Sequence, residues 1–290
     1  MKLDFLGLPE DGIKKNYPKI WFLPVPYEGT VSYAPGTRFG PKAILEASAQ
    51  VELWDQETRQ DLSKKVSFQT LPPLEINLAS PREMMDEIYQ TAKKILSTSE
   101  ALLFSFGGEH SISYPLVKAH QDRYGKIGVV QIDAHADLRS EFEGTPYSHA
   151  CVMRRIYELG IPILQVGIRS LSEEESGLLD ETKEIQTLWA DQFETSSQEE
   201  WEAALSQLPE QIYLTVDVDG FDPSILPGTG TPEPGGLSWY TTLKFLRFLA
   251  EKKTLVGVDL VELIPLPGSH ASEFTAAKLV YKILNYIYHR

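Results

Sequence analysis

The chain has 290 residues, of which 42% are hydrophobic and 23% charged, with one cysteine and a formal net charge of −14 at pH 7. This composition is typical of a globular chain with a sizeable core, and a single cysteine excludes a disulfide framework and metal sites built from cysteine alone. The acidic balance argues against nucleic acid or an anionic membrane surface as the main partner, because both select basic faces.

The first residues of the chain and the length of its apolar runs predict where in the cell the protein is located. Met1-Lys2-Leu3-Asp4 reaches acids before the hydrophobic core of a signal peptide could form. No apolar run approaches the roughly 18 residues that a membrane-spanning helix needs. We therefore expect a cytoplasmic protein with no membrane contact.

Short apolar segments alternate with amphipathic ones along the chain. The candidate strands are Ile20–Pro24, Ala101–Phe106, Ile127–Ile132, Ile163–Val166, Ile212–Val218 and Leu255–Val261. The candidate helices are Pro41–Leu53, Pro81–Ser97, Tyr114–Asp122, Cys151–Leu159, Tyr240–Lys252 and Thr275–Tyr288. Strands with almost no polar alternation, separated by helices, indicate a parallel sheet covered on both faces. Without a linker or a repeat, the pattern predicts one three-layer α/β/α domain over residues 1–290 with a mostly parallel central sheet.

Exposed surface is predicted at two places. The segment 171–211 holds twelve acidic residues against one base, Lys183, and so carries most of the net charge of −14. Interspersed apolar residues such as Leu188, Trp189 and Trp201 predict helices with one buried stripe beneath a solvated acidic face. His120 is also expected to be solvated, because it lies among polar residues of its candidate helix.

Carboxylates and imidazoles follow four of the candidate strands, in the order of the chain. They are His110 after the second strand, Asp133, His135 and Asp137 after the third, Asp217 and Asp219 at the end of the fifth, and Glu262 after the sixth. Ligands of parallel sheets bind beyond the carboxyl ends of the strands. We therefore expect these side chains to meet at one edge of the sheet.

The spacing of these residues points to bound metal. Residues two apart in an extended chain point the same way, so Asp133, His135 and Asp137 can converge, as can Asp217 and Asp219. Clustered carboxylates repel one another unless a counter-charge is present, and imidazole with carboxylate suits Mn²⁺ better than thiolate-selected Zn²⁺. Six ligands are too many for one tetrahedral site but fit two metals roughly 3.5–4 Å apart, which would lower the pKa of a bridging water.

Three segments resemble the signature motifs of the ureohydrolases, the family of arginase and agmatinase. They are Gly107–Ser111, Asp133–Asp137 and Asp217–Pro223, in matching order and spacing. Pro26–Thr30 and Pro35–Pro41 resemble the N-terminal loop of that family, and Gly228–Gly236 resembles its glycine-rich loop. The resemblance covers nearly the whole chain and implies an arginase-like fold.

The resemblance implies a ligand set, catalytic roles and an assembly. One Mn²⁺ would be held by residues matching His110, Asp133, Asp137 and Asp217, and the other by Asp133, His135, Asp217 and Asp219. A hydroxide between the metals would attack the guanidino carbon, and Asp137 would carry a proton to the departing amine. Glu262 would pair with the substrate guanidinium, and His149 would contact the substrate and shuttle protons. The family also implies a homotrimer or homohexamer.

The segment 138–148 resembles the agmatinase version of this region. Its acids Glu141 and Glu143 would attract a cationic tail, which favours cleavage of agmatine to putrescine and urea, although Arg139 could bind an acidic tail instead. The segment 266–272 departs from the family in its length and in having His270 where an aspartate is usual. Because this loop is expected to border the substrate mouth, aminopropylagmatine, guanidinobutyrate and arginine remain alternative guanidine substrates.

Two other classes of function compete with a dimanganese hydrolase. A single-zinc deacetylase of related fold would share an Asp-x-His and a further aspartate but would lack counterparts of His110 and Asp219. A non-catalytic, metal-bound regulatory or scaffold subunit is the third hypothesis. The presence of every catalytic position argues against it.

Overall fold

A parallel sheet organises the described part of the chain, which in this computed structural model is residues 3–8 and 17–289. The strands are β1 (Lys19–Val25), β2 (Trp54–Asp55), β3 (Gln60–Asp61), β4 (Ser67–Thr70), β5 (Leu102–Gly107), β6 (Ile127–Ile132), β7 (Ile163–Ile168), β8 (Ile185–Trp189), β9 (Gln211–Asp217) and β10 (Thr254–Val261). Eight of them form one sheet in the order β4-β1-β5-β10-β9-β6-β7-β8, and all neighbours are parallel. β2 and β3 form a separate antiparallel pair.

Helices cover both faces of this sheet. They are α1 (Gly40–Ser48), α2 (Pro81–Thr98), α3 (Ser113–Tyr124), α4 (Val152–Tyr157), α5 (Glu173–Glu181), α6 (Ala190–Phe193), α7 (Gln198–Ser206), α8 (Trp239–Lys252) and α9 (Ala271–Ile287). One apolar cluster unites α1 and α6–α9 with Phe104 and Phe106 of β5, and another unites α2–α4 with Leu103. The predicted three-layer α/β/α domain is therefore confirmed. Within the described residues, no helix has the length and apolarity to cross a membrane.

All six predicted strands are present with limits within two residues of those expected, but β4 and β8 of the eight-stranded sheet and the short pair β2 and β3 were missed. The two missed strands of the large sheet have a common cause. Both lie at the edges of the sheet, where a strand has one neighbour and keeps polar residues. β4 reads Ser-Phe-Gln-Thr, and β8 lies inside the acidic segment. The prediction that Leu188 and Trp189 belong to helices is therefore wrong, because both lie on β8.

The solvated position predicted for His120 is also wrong. Its side chain is fully buried between α3 and the sheet, with Nδ1 2.7 Å from the carbonyl oxygen of Leu116 and its ring 4.8 Å from that of Tyr213. Burial lowers the pKa of His120 to about 4, so the imidazole is neutral at physiological pH.

The acidic segment is not wholly surface either, since Glu175 is buried. Its carboxylate caps the start of α5 by accepting hydrogen bonds from the backbone N–H and the hydroxyl of Ser172. It also accepts the backbone N–H of Leu138 at 2.8 Å. Glu175 therefore ties α5 to the segment that follows Asp137.

Candidate metal centre and substrate cavity

The carboxyl ends of four adjacent strands, β5, β10, β9 and β6, meet at one point, as the sequence predicts. His110 begins a 3₁₀ turn after β5, and Asp133 follows β6. Asp217 is the last residue of β9, and Glu262 directly follows β10. Their convergence is a consequence of parallel strand order, because parallel strands all end at the same edge.

The first group of donor atoms surrounds the imidazole of His110. Its Nδ1 lies 3.0 Å from Oδ2 of Asp133, 3.1 Å from Oδ2 of Asp137 and 3.4 Å from Oδ2 of Asp217. These four side chains are buried, yet His110 Nδ1 has no hydrogen-bond partner. A buried nitrogen that faces three carboxylate oxygens without a hydrogen bond fits a ligand to a cation.

The second group shares Asp133 with the first. Nδ1 of His135 lies 3.0 Å from Oδ2 of Asp219 and 3.7 Å from Oδ1 of Asp133. Within each of the two groups, His110–Asp133–Asp137 and Asp133–His135–Asp219, the donor atoms lie within 4.8 Å of one another. Two adjacent groups joined by one carboxylate fit a binuclear metal site of nitrogen and oxygen ligands.

The cluster holds more negative charge than its protein surroundings neutralise. Burial and the charges of Asp219 and Asp133 raise the pKa of Asp217 well above its usual value. Burial and the charge of Asp133 likewise raise the pKa of Asp137 to about 7. Divalent cations supply the counter-charge that such a site lacks.

A chain of buried hydrogen bonds fixes the orientation of His110. Its Nε2 lies 2.9 Å from Oγ1 of Thr215, and that hydroxyl donates to Oδ1 of Asp259 at 2.6 Å. Since the one hydroxyl proton of Thr215 goes to Asp259, Thr215 can only accept from His110. Nε2 therefore carries the proton, and the Nδ1 lone pair faces the carboxylates. The hydroxyl of Tyr213 donates to the other oxygen of Asp259 at 2.8 Å.

Two buried glutamines hold the segment after β6. Gln131 donates to Oδ2 of Asp133 at 2.8 Å, and Gln165 donates to Oε1 of Gln131 at 2.6 Å and to the carbonyl oxygen of Ala136 at 2.8 Å. Sequence reasoning missed these glutamines, Thr215 and Asp259. The sequence did contain a signal for them, since each is a polar residue within an apolar strand. A polar side chain in a strand that is buried on both faces needs a buried hydrogen-bond partner.

Arg169 stabilises the loop that carries Asp219. Its half-buried guanidinium donates to the carbonyl oxygens of Asp219 at 2.7 Å, Gly220 at 3.2 Å and Glu233 at 2.8 Å. It thereby joins the end of β9 to the glycine-rich loop 228–236. This residue was also missed by sequence reasoning.

Asp137 and Glu262 have left-handed backbones, with φ of 54° and 64°. Non-glycine residues rarely adopt this conformation, which costs roughly 1–3 kcal/mol and persists where surrounding structure imposes it. For Glu262 that structure includes its own backbone N–H, which donates to Gly108, and its Oε1, which accepts the N–H of His110 at 2.6 Å. Both residues line the same cavity.

A cavity of about 210 Å³ opens above this cluster. Its floor comprises the predicted site residues His110, His135, Asp137, His149, Asp217, Asp219 and Glu262. Tyr33, Arg139, Phe142 and Leu171 also line it. Asp133 lies fully buried behind the floor.

Two predicted substrate residues do not line this cavity. Glu141 and Glu143 are exposed on a short hairpin in which Phe142 pairs with Thr145, and Phe142 is the hairpin residue that turns into the cavity. The guanidinium of Arg139 lies 5.3 Å from the Phe142 ring centre and 4.0 Å from the carboxylate of Glu175.

The expected position of segment 266–272 at the substrate mouth is wrong. Residues 265–268 and His270 line a different groove, against Phe39 and Lys42 at the start of α1. His270 is exposed and pairs with Glu273 at 2.7 Å. Between Glu262 and this groove, the backbone N–H of Ile264 donates to the carbonyl oxygen of Gly228 at 2.8 Å.

Comparison with known proteins places these observations in a family. A family model described as "Arginase family" matches residues 18–285. An N(1)-aminopropylagmatine ureohydrolase of Synechocystis sp. is 42% identical over 91% of this chain and 87% of its own length. An agmatinase of Pyrococcus horikoshii is 34% identical over 90% of this chain and 89% of its own. The crystal structure of an agmatine ureohydrolase from Thermoplasma volcanium superposes with a TM-score of 0.85 at 26% identity, covering 100% of this chain and 95% of that one.

Proposed function

This chain belongs to the arginase family and is an amidinohydrolase, and we propose that it hydrolyses the guanidino group of agmatine to putrescine and urea. One observation carries the proposal. The two donor groups that share Asp133 lie at the floor of a cavity that Glu262 and His149 also line. A carboxylate that can bind a guanidinium and an imidazole that can transfer a proton thus line the same small cavity.

The residues of the floor, together with Asp133 behind it, suit two Mn²⁺ ions. His110, Asp133, Asp137 and Asp217 would hold one, and Asp133, His135, Asp217 and Asp219 would hold the other. The unpartnered Nδ1 of His110 and the nitrogen and oxygen donor set support this choice. When bound, two such ions lower the pKa of water from about 15.7 toward neutrality and so supply hydroxide as the nucleophile.

Glu262 is suited to bind the substrate guanidinium. Its Oε1 accepts one N–H from His110, and each carboxylate oxygen has two lone pairs, so both oxygens can still accept N–H groups from a planar guanidinium. The resulting contact holds the guanidino carbon over the floor of the cavity. Its loss is expected to weaken substrate binding.

Asp137 and His149 are suited to move protons. The reaction forms one C–O bond and breaks one C–N bond, and both protons of the water must reach the departing nitrogen, which leaves as an ammonium group. The first of them is released when the water becomes hydroxide. Asp137 lies on the floor, where its carboxylate can take that proton. Burial lowers the pKa of His149 to about 4, so its neutral imidazole has a free nitrogen through which it can exchange protons at the cavity wall.

N1-aminopropylagmatine is a second candidate substrate. It is favoured by the identity of 42% with a relative that is named for this compound. Glu141 and Glu143 flank Phe142, so a tail that extends past Phe142 would bring its terminal ammonium toward exposed carboxylates. These two acids are therefore proposed as contacts of a long tail.

The substrate assignment is tested by initial rates of urea release from agmatine, N1-aminopropylagmatine, 4-guanidinobutyrate and arginine with the manganese-loaded chain. Agmatine is expected to have the highest kcat/KM. A higher value for N1-aminopropylagmatine, with loss of that preference in Glu141→Gln/Glu143→Gln, would assign the longer substrate. Urea from none of the four compounds would refute the proposed reaction.

We also propose that the chain assembles as a homotrimer or homohexamer, as is typical of arginase folds. Sedimentation equilibrium of the manganese-loaded protein measures the assembly mass directly. A monomer at micromolar concentration would contradict this proposal.

A further inference from the structure

Glu109 is a buried carboxylate that the proposed reaction leaves without a role. It is fully buried and precedes His110 in the chain. Its Oε2 accepts the backbone N–H groups of Gly29 at 2.6 Å and Thr30 at 2.7 Å, and its Oε1 accepts the hydroxyls of Thr30 at 2.7 Å and Ser111 at 2.6 Å. Three of these four donors belong to Gly29 and Thr30, so the carboxylate of Glu109 holds the loop at Thr30 in place.

Thr30 in turn contacts His149. The backbone N–H of His149 donates to Oγ1 of Thr30 at 3.1 Å, and Nδ1 of His149 lies 3.3 Å from the same oxygen. A hydroxyl has one proton to donate, and that of Thr30 is directed to Glu109. Its contact with His149 is therefore that of an acceptor, which fits a neutral imidazole with its proton on Nδ1. The hydroxyl of Ser148 also lies 3.3 Å from Nδ1, where it can accept the same N–H or, in the other tautomer, donate to Nδ1.

Thr30 also begins the wall of the cavity. The residues that follow it, Val31, Ser32, Tyr33 and Ala34, all line the cavity. The far end of this loop is fixed by Glu28, whose carboxylate accepts the backbone N–H groups of Gly36 at 3.1 Å and Arg38 at 2.9 Å. The loop is thus held at both ends by carboxylates, and the end held by Glu109 is the one that contacts His149.

We propose that Thr30, held by Glu109, is a positioning residue that keeps His149 as the Nδ1–H tautomer, with the Nε2 lone pair available to the cavity. Neither Thr30 nor Glu109 needs to touch the substrate. This inference rests on the proposed role of His149 in proton transfer. It adds that the hydroxyl of Thr30 decides which imidazole nitrogen exchanges the proton.

The test compares Thr30→Val, which removes the hydroxyl at nearly constant shape, with Thr30→Ser, which keeps it. Using the manganese-loaded chain and agmatine, we expect Thr30→Val to lower kcat about 10- to 100-fold, since general acid–base groups contribute about 10²–10⁴-fold. KM and the metal content are expected to be unchanged within about threefold, and Thr30→Ser is expected to keep kcat within about threefold of the wild type. Equal losses in the two variants would overturn the proposal.

A double-mutant cycle separates positioning from a general structural effect. If Thr30 acts through His149, Thr30→Val/His149→Ala is expected to be no slower than His149→Ala alone, because the group that Thr30 positions is already absent. If the two losses multiply, the hydroxyl acts elsewhere and the proposal is wrong. His149→Ala with full activity would instead remove the premise that His149 transfers protons.

The tautomer of His149 can also be measured by NMR without any turnover of substrate. In the ¹⁵N-histidine-labelled chain loaded with a diamagnetic divalent cation, the ring signals of His149 are identified by their absence from His149→Ala. We expect a protonated Nδ1 and an unprotonated Nε2 in the wild type and Thr30→Ser, and a mixture of tautomers in Thr30→Val. The opposite tautomer in the wild type would overturn the proposal, whereas absence of urea release with the expected tautomer would refute only the proposed function.

Discussion

The replacement Thr215→Val tests whether the buried chain from Asp259 to His110 prepares the metal centre. Valine removes the acceptor of the His110 Nε2 proton, which is 2.9 Å away, and the donor to Asp259, which is 2.6 Å away. The imidazole is then free to place its proton on Nδ1 and to donate it to Asp133, 3.0 Å away. In that tautomer His110 cannot use Nδ1 as a ligand.

The expected loss follows from these contacts. Removing the partner that orients a ligating histidine typically lowers metal affinity about 10- to 100-fold, or about 1.4–2.7 kcal/mol. The metal-free chain is also expected to lose about 1–3 kcal/mol of unfolding free energy, because Asp259 loses a donor in a buried site. Tyr213 still donates to Asp259, so the variant is expected to fold.

The assay is calorimetric titration of Mn²⁺ into the metal-free wild type, Thr215→Val and the matched control Thr215→Ser. We expect Thr215→Val to weaken one of two equivalents by 10- to 100-fold, in line with the magnitude above. Thr215→Ser keeps the hydroxyl and is expected to remain within about threefold of the wild type. Tight binding of both equivalents by Thr215→Val, or equal weakening in both variants, would refute the reasoning.

Three further predictions follow from the same geometry. His110→Ala, Asp133→Ala and Asp219→Ala are each expected to lose bound metal and urea release from agmatine together. The exposed control Glu143→Ala is expected to keep both, because agmatine lacks the long tail that Glu143 is proposed to contact. Full metal content by elemental analysis with lost activity would contradict the ligand roles. Glu262→Gln is expected to lower kcat/KM for agmatine about 10- to 100-fold, the loss typical of a charge-assisted hydrogen bond, and an unchanged value would exclude Glu262 from guanidinium binding. Because burial holds the pKa of His120 near 4, below its ordinary 6.5, its contribution to stability is present above pH 6.5 and is lost as the pH falls toward 4. Urea denaturation measures the unfolding free energy of the wild type and of His120→Gln at pH 7 and at pH 5. The decrease between these pH values is expected to be about 2 kcal/mol smaller in His120→Gln than in the wild type. Equal decreases in the two proteins would place His120 in solvent.

The central strands and the convergence of the candidate metal ligands could be predicted from sequence for the same physical reason. Buried parallel strands read as continuous apolar runs, and the residues after them must meet at one edge. β6 was predicted with its observed limits, and Asp133, His135 and Asp137 follow it in the expected place.

Contacts between segments distant along the chain could not be predicted in this way. The edge strand β8 has only one neighbouring strand and is only partly buried. Its sequence is therefore not a continuous apolar run and does not stand out from the helical segments beside it. The contact of Glu109 with Thr30 joins residues 79 positions apart, and no local pattern specifies it. His120 was misjudged because the polarity of its neighbours along the helix says nothing about which face of α3 meets the sheet.

The most direct test of the proposed function is a product balance on agmatine with the metal-stripped chain before and after reloading with Mn²⁺. We predict no turnover without metal, and equal amounts of urea and putrescine once two equivalents of Mn²⁺ are bound. Urea release that persists in the stripped chain, or a reloaded chain that forms neither product, would contradict a metal-dependent amidinohydrolase built on His110, Asp133 and Asp219.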